Sequence, residues 1–221
     1  AGFRNMEQLS ENPVEMDFDI LKRLKQNYPS KIIVASIMGQ TEEQWIELAK
    51  MAEEAGVDAV ELNFSCPQMR LAGMGSDVGQ NPELVTFYTA YVKRSVNIPV
   101  IPKMTPNVAS MTQFALAAHF AGADGISAIN TIKSVTLGAE VNGQRIVSGY
   151  SGSAVKPIAL RFILEMADNS IMPGLQLSGI GGITTWRDAL DFIQLGCQNV
   201  QVCTAVMQYG YRIIDDLIDG L

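Results

Sequence analysis

Several residue types that can do chemistry fall at matching points of a repeating pattern. Ala59-Val60-Glu61-Leu62-Asn63-Phe64-Ser65-Cys66-Pro67 runs from apolar alternation into polar side chains. Val60, Leu62 and Phe64 alternate with Glu61, Asn63 and Ser65, the period of a strand. Pro67 has no N–H for a ladder, so pairing is expected to stop there. Asn63, Ser65 and Cys66 then sit at the carboxyl end of a strand, where parallel α/β folds bind ligands. A thiol in that place can act as nucleophile, acid or base. A buried structural cysteine is the alternative, but three polar groups and a proline converging at one strand end favour chemistry.

Other segments end the same way: Lys103 and Thr105, Asn130 and Thr131, Gly181 and Gly182, Cys203 and Thr204. Lys103 closes an apolar stretch. It is either a lysine snorkelling to a rim or a fixed positive charge beside an electron-rich ligand. Asn63 and Asn130 each carry a donor and an acceptor on a planar amide, which suits a flat, amide-bearing heterocycle. Gly181-Gly182 is also a common turn. After the penultimate strand of a barrel, however, such glycines leave room for a phosphate on backbone N–H groups. His119 lies within a helical stretch and reads as a surface residue. Cys197 reads as structural, at the opposite end from the other groups.

The elements that must position these groups alternate. Residues 1–13 read as irregular. A helix is predicted over Val14 to Asn27, with Ile20, Leu21 and Leu24 on one face and Pro29 beyond it. Lys31 to Met38 reads as a strand buried on both faces. Thr41-Glu42-Glu43-Gln44 is a capping box for a helix burying Trp45, Leu48, Ala49 and Ala52. After the strand at Ala59 comes a loop, Gln68 to Gln80, with three glycines, read as a mobile lid. Asn81-Pro82 opens a helix to Ser95. Ile98 to Thr105 is a strand, and Ser110-x-x-Gln113 a second capping box. Gly125 to Thr131 is a strand, followed by about twenty residues to Gly149 read as a long functional loop. A helix from Val155 past Met166, a strand at Leu175 to Ser178, a helix capped by Thr185, a strand at Asn199 to Thr204 and a last helix holding Tyr211, Ile214 and Leu217 complete the chain. Ala55-Gly56-Val57-Asp58, Ala121-Gly122-Ala123-Asp124 and Leu195-Gly196-Cys197-Gln198 repeat one helix-to-strand turn. Six strands alternating with helices predict a parallel sheet, either a (β/α) barrel or an open doubly wound sheet.

Composition narrows the function classes. The 221 residues suffice for one large domain, and the net charge of −7 argues against a nucleic-acid surface. Three cysteines make neither a disulfide framework nor a spaced zinc site, so a reducing, cytoplasmic setting is expected. No apolar run is long enough for a membrane span.

Glu61-Leu62-Asn63-Phe64-Ser65-Cys66-Pro67, Lys103-Met104-Thr105-Pro106-Asn107, Ala128-Ile129-Asn130-Thr131, Ser151-Gly152-Ser153-Ala154-Val155-Lys156-Pro157-Ile158-Ala159-Leu160-Arg161 and Ser178-Gly179-Ile180-Gly181-Gly182 together resemble the dihydropyrimidine dehydrogenase family. The resemblance is greatest to the flavin-carrying catalytic subunit of the bacterial NAD-dependent enzymes and covers nearly the whole chain. It implies a dihydroorotate dehydrogenase-like (β/α)8 TIM barrel holding FMN, as one domain over residues 1–221. It implies that Lys103 stabilises the reduced flavin, and that Gly152, Ile180, Gly181, Gly182, Cys203 and Thr204 bind FMN, mostly at its phosphate. Asn5, Asn63, Ser65, Asn130 and Thr131 would hold a uracil or thymine base. Cys66 would be the proton donor as flavin hydride reduces the pyrimidine double bond in pyrimidine catabolism. Against the family pattern, the first two barrel strands and the iron–sulfur segment are expected to be absent. Full activity would then need those segments and a partner flavoprotein with FAD and iron–sulfur clusters that oxidises NAD(P)H; this chain by itself could be inactive, and a homo-oligomer is expected.

Three rival readings stand beside this one. A dihydroorotate dehydrogenase-type flavoenzyme shares flavin and cysteine but needs a cation for its substrate carboxylate. A tRNA dihydrouridine synthase would need a basic stripe. A non-catalytic barrel fragment would expose two sheet edges.

Overall fold

The structure, a computed structural model, describes residues 2–5, 9–66, 74–141, 144–167 and 172–221. Its elements run β1 (Phe3–Asn5), α1 (Val14–Asn27), β2 (Val34–Ile37), α2 (Glu42–Glu54), β3 (Ala59–Asn63), α3 (Ser76–Gly79), α4 (Pro82–Ser95), β4 (Val100–Lys103), α5 (Thr112–Phe120), β5 (Gly125–Ala128), β6 (Ile132–Val141), β7 (Gln144–Ser151), a 3-10 turn (Ser153–Val155), α6 (Lys156–Met166), β8 (Gln176–Ile180), α7 (Trp186–Gln194), β9 (Asn199–Gln201), α8 (Thr204–Tyr209) and α9 (Arg212–Gly220). Six strands form a parallel sheet in the order β2-β3-β4-β5-β8-β9.

The sheet is curled. β3 and β9 lie four places apart, which in a flat sheet would separate them by about 19 Å. Yet Gln201 Nε2 of β9 donates to Glu61 Oε2 of β3 at 3.1 Å. Side chains meet across that span only if the strands bend towards a common axis, as in a barrel. The described residues supply six of a barrel's eight strands, and β2 and β9 are the edges.

The repeated helix-to-strand turns set the register. Gly56, Gly122 and Gly196 have φ of 81, 91 and 103°, the left-handed region where glycine avoids a Cβ clash. Two residues on, Asp58 accepts from Ile33 N–H (2.7 Å), Asp124 from Val100 N–H (2.8 Å) and Gln198 from Leu177 N–H (2.6 Å). Each of these residues also donates its own N–H to the carbonyl of the same partner. The turn leading into one strand thus grips the start of its neighbour.

The outward face of the sheet packs on the helices. Val60, Leu62 and Phe64 are fully buried, and Trp45 meets Phe64 edge-to-face with centroids 5.2 Å apart. The capping boxes at Thr41 and Thr185 form, and Asn81 caps α4 with Pro82 as its first residue.

Several expectations need correction. β2 is buried on one face only: Ala35 and Ile37 pack on helices, while Val34 and Ser36 are exposed on the inner face at the sheet edge. Residues 3–5 are not irregular but pair antiparallel with β7. The stretch to Gly149 is not a loop: β6 and β7 form a hairpin that makes a three-stranded sheet with β1. Ser110 does not box the start of α5; Glu165 of α6 takes Ser110 Oγ (3.1 Å) and Met111 N–H (2.7 Å) instead. In α9 the buried residues are Ile213 and Leu217, while Tyr211 and Ile214 face outward. His119 is half-buried, in the last turn of α5. Within the expected lid, Ser76–Gly79 is a packed helical turn; Pro67 and residues 68–73 lie outside the described residues.

Candidate active site

A cleft opens at the carboxyl ends of the parallel strands. Among its lining residues are Lys103 from β4, Asn130 and Thr131 after β5, Ile180, Gly181 and Gly182 at the end of β8, and Cys203 and Thr204 after β9. Asn5, Tyr150, Ser151 and Gly152 reach it from the small antiparallel sheet and the turn that follows. The hairpin and β1 therefore wall the mouth of the half-barrel. Gly149 makes this possible: a Cβ there would lie 2.3 Å from both Asn5 Oδ1 and Thr131 Oγ1.

The amide cluster is held from within. Asn63 Oδ1 accepts from Ser65 N–H (3.2 Å), Ser65 Oγ (2.7 Å) and Asn130 Nδ2 (3.3 Å). Asn130 Nδ2 also donates to Ser65 Oγ at 2.7 Å, and Asn130 Oδ1 accepts from Thr131 N–H at 2.7 Å. Backbone N–H groups cannot accept, so they decide which way both amides face. The carbonyl oxygens are turned onto the protein. Both hydrogens of Asn130 Nδ2 are spent within the cluster, on Asn63 Oδ1 and Ser65 Oγ, so a ligand that takes a hydrogen bond from this amide must displace one of them.

Cys66 follows Ser65 directly, is 6% exposed, and accepts Ser76 N–H on its carbonyl at 3.0 Å. It lies beside the amide cluster and is not among the described residues lining the cleft, nor are Asn63 and Ser65. Gly79 lets α3 press on this strand end, since a Cβ there would come within 2.0 Å of Phe64 O. Thr105, grouped with Lys103 by sequence, faces away: its Oγ1 accepts from Asn107 Nδ2 at 2.8 Å and is buried. All three cysteines are free thiols, and burial pushes the Cys197 thiol up to about 11, away from the cleft chemistry.

Gly152, Gly181 and Gly182 have φ of 91, 129 and 77°. A Cβ on Gly181 would sit 2.9 Å from Ala159 Cβ, and one on Gly182 would sit 2.7 Å from Lys156 Cβ. The turn is therefore pressed onto the start of α6 and keeps bare backbone along the cleft. Lys156 braces it from behind through Asp188 and Asp191 of α7. Thr204 Oγ1 donates to Ser151 Oγ at 3.0 Å, tying the start of α8 to the hairpin.

Beneath the cleft lies a polar interior that the sequence reading missed. Glu61, Ser127, Ser178, Asn199 and Gln201 hydrogen-bond with one another and with Lys103. The signal was available in the alternation of β3, where Glu61 shares the parity of Asn63 and Ser65.

A sequence profile described as dihydroorotate dehydrogenase matches residues 11–221. The NAD-dependent dihydropyrimidine dehydrogenase subunit PreA of Escherichia coli (strain K12) is 54% identical over 228 residues, covering 100% of this chain and 56% of that protein. The chloroplastic dihydropyrimidine dehydrogenase (NADP(+)) of Arabidopsis thaliana is 41% identical over 98% of this chain and 54% of its own. The catalytic subunit of dihydroorotate dehydrogenase B (NAD(+)) from Pyrococcus abyssi is 41% identical over 86% of this chain and 62% of its own. The chain thus spans little more than half the length of these curated relatives. The crystal structure of DHODH from Eimeria tenella in complex with ferulenol superposes with a TM-score of 0.82 at 16% identity, over 99% of this chain and 66% of that one, a likeness of fold. Among the described residues no helix is long and apolar enough to cross a membrane.

Proposed function

The chain belongs to the dihydroorotate dehydrogenase family, and from that premise we propose that its barrel binds FMN and reduces uracil or thymine to the 5,6-dihydropyrimidine. One observation carries this reading. A single cleft at the strand ends joins Asn130 and Thr131 of the amide cluster, a lysine and a bare-backbone glycine turn.

The residues fit the cofactor. Gly152, Gly181 and Gly182 line the cleft with backbone that carries no side chain, and the Thr204 hydroxyl stands beside them, a setting suited to a phosphate. Lys103 supplies positive charge in the wall, where an anionic ring would be stabilised. Ile180 and Cys203 line the space between. When bound, FMN supplies the hydride. The chain's residues do the rest. Asn63 and Asn130, with Ser65, Thr131 and Asn5, hold the pyrimidine through its carbonyl and N–H edge, exchanging bonds now made within the cluster for bonds to the base. Cys66 gives its proton to the carbon next to the one that receives hydride, and takes it back in the reverse direction. Thiols ordinarily titrate at about pH 8.5, close enough to neutrality for such exchange.

Dihydroorotate chemistry is the second reading, supported by the family profile and the archaeal relatives. Its substrate carries a carboxylate. Among the described residues Lys103 is the one cation lining the cleft, and it is already paired with Glu61 at 3.1 Å. That favours a neutral pyrimidine. Electrons would arrive from a partner subunit carrying FAD and iron–sulfur clusters that oxidises NAD(P)H, with the whole assembly a cytoplasmic homo-oligomer and residues 1–221 its single barrel domain. Equilibrium dialysis against FMN, then stopped-flow oxidation of the photoreduced protein, tests the assignment. Reoxidation by uracil or thymine and not by orotate is expected. Reoxidation by orotate alone transfers the assignment to the second reading, and failure to retain FMN leaves a non-catalytic barrel.

A further inference from the structure

The half-barrel interior holds one carboxylate among its described residues, at the floor of the cleft. Glu61 is 5% exposed, and four side chains converge on it. Ser36 Oγ and Lys103 Nζ each donate to Oε1 at 3.1 Å; Ser127 Oγ at 2.8 Å and Gln201 Nε2 at 3.1 Å donate to Oε2. Four donors on two oxygens is the coordination of a charged carboxylate. The polarity beyond it is consistent. Gln201 Nε2 also donates to Ser178 Oγ (3.1 Å), and Ser178 Oγ donates to Asn199 Oδ1 (2.5 Å). That leaves Gln201 Oε1 to receive Lys103 Nζ, at 3.4 Å. The lysine is gripped by an anion and by an amide oxygen that cannot turn away without breaking the chain of bonds. A free lysine stem carries large rotamer freedom; two fixed acceptors remove it.

We propose that Glu61, with Gln201 as the second hold, is the positioning residue and counter-charge of Lys103, so that a ligand in the cleft meets an oriented, nearly neutral pair rather than a bare cation. The role deepens the flavin reading and rests on it where it concerns FMN. A reduced, anionic flavin would gain less from the pair than from an unpaired lysine, so Glu61 holds the flavin's reduction potential down.

The first test needs no cofactor. Lys103→Met strands a buried carboxylate without its cation, and such a group becomes neutral by binding a proton. Difference infrared spectra of the purified protein should show a protonated-carboxyl band in Lys103→Met that is missing from wild type and from Lys103→Met/Glu61→Gln. Lys103→Gln, closer to lysine in polarity, serves equally should the methionine variant fold poorly. No such band in either variant overturns the pairing. The second test uses the FMN-loaded protein. Glu61→Gln should raise the preference for reduced over oxidised FMN by about tenfold, about +30 mV for a two-electron couple. Glu61→Asp, which keeps the charge, should stay within about twofold of wild type. In the Lys103→Met background Glu61→Gln should have no such effect. Equal weakening of both redox forms by Glu61→Gln would make the residue merely structural and overturn its role towards flavin. Should the wild-type protein retain no FMN, the flavin reading fails, while the infrared band still decides the ion pair.

Discussion

In the proposed reaction Cys66 and the amides beside it would divide the work by chemistry. Asn63 and Asn130 are amides, whose N–H and C=O groups make hydrogen bonds but do not titrate near neutrality, so they would hold a base without taking or giving its proton. Cys66, next in sequence after Ser65, is the group proposed for proton transfer. Cys66→Ala is expected to slow oxidation of the reduced flavin by uracil by about 10²–10⁴, the usual worth of a positioned acid. Flavin affinity should be unchanged, because the thiol is assigned to the base and not to FMN. Stopped-flow traces across pH decide it, and a wild-type rate in the alanine variant would move the acid elsewhere. Gly149 makes a second prediction at this scale. A methyl group there would meet both Asn5 Oδ1 and Thr131 Oγ1 at 2.3 Å, so Gly149→Ala must push the two apart. A displacement of that size commonly costs on the order of 10² in kcat/KM. Steady-state kinetics with uracil should show that loss while the far-ultraviolet circular dichroism stays as in wild type.

At the scale of elements, the recurring grip between turn and strand does most to place the site. Asp124 receives Val100 N–H and Lys93 Nζ, and so seats β5 against β4, whose last residue is Lys103. Asp124→Ala strands that N–H and should cost about 1–3 kcal/mol, read as a lower urea midpoint at unchanged m. The glycine that opens each of these turns was plain in the sequence, as were the caps at Thr41, Asn81 and Thr185, because each signal lies within a few residues of its effect. The failures have the opposite character. Ser110 and Gln113 have the spacing of a capping box, but Glu165, 54 residues beyond Met111, takes Met111 N–H instead. Asn5 reaches the cleft only because β1 adds to β7, a pairing across most of the chain that three residues cannot announce. The hairpin has a local signal in the sequence: Asn142-Gly143 separates the β6 and β7 stretches, and Asn-Gly is the strongest short-range turn signal for two strands. The cleft residues could be grouped as strand ends from sequence, whereas the Glu61 network needed the curl of the sheet.

Over the whole molecule, that curl brings six strands around a polar interior, and the helices close the outside through a single apolar core. Among the described residues β2 and β9 have one neighbour each, and Ser36 is open on the inner face of β2. Around this frame, ion pairs lash the later elements together, and they make stability depend on pH. Burial pushes the Asp188 carboxyl up, but hydrogen bonds from Lys156, from Thr184 N–H, and from the Thr185 and Thr184 side chains outweigh it and hold the group well below the usual carboxylate range. Hydrogen bonds from Lys25 and from Ile33 N–H likewise lower Asp58. A carboxyl lowered on folding stabilises the native state above its unfolded value, 3.8 for these two, and that contribution is lost as pH falls through the folded value. Lys156 runs the other way: burial lowers it, and Asp188 and Asp191 more than compensate, so its share persists up to 10.5 and is lost as pH rises through its raised folded value. Asp188→Asn should therefore lower the urea midpoint at neutral pH. Because the variant has no carboxyl to protonate, the gap to wild type should narrow as pH drops below 3.8. Urea titrations at a series of acid pH values measure that gap, and two parallel curves would mean that the tie between α6 and α7 adds nothing to the acid limb of stability.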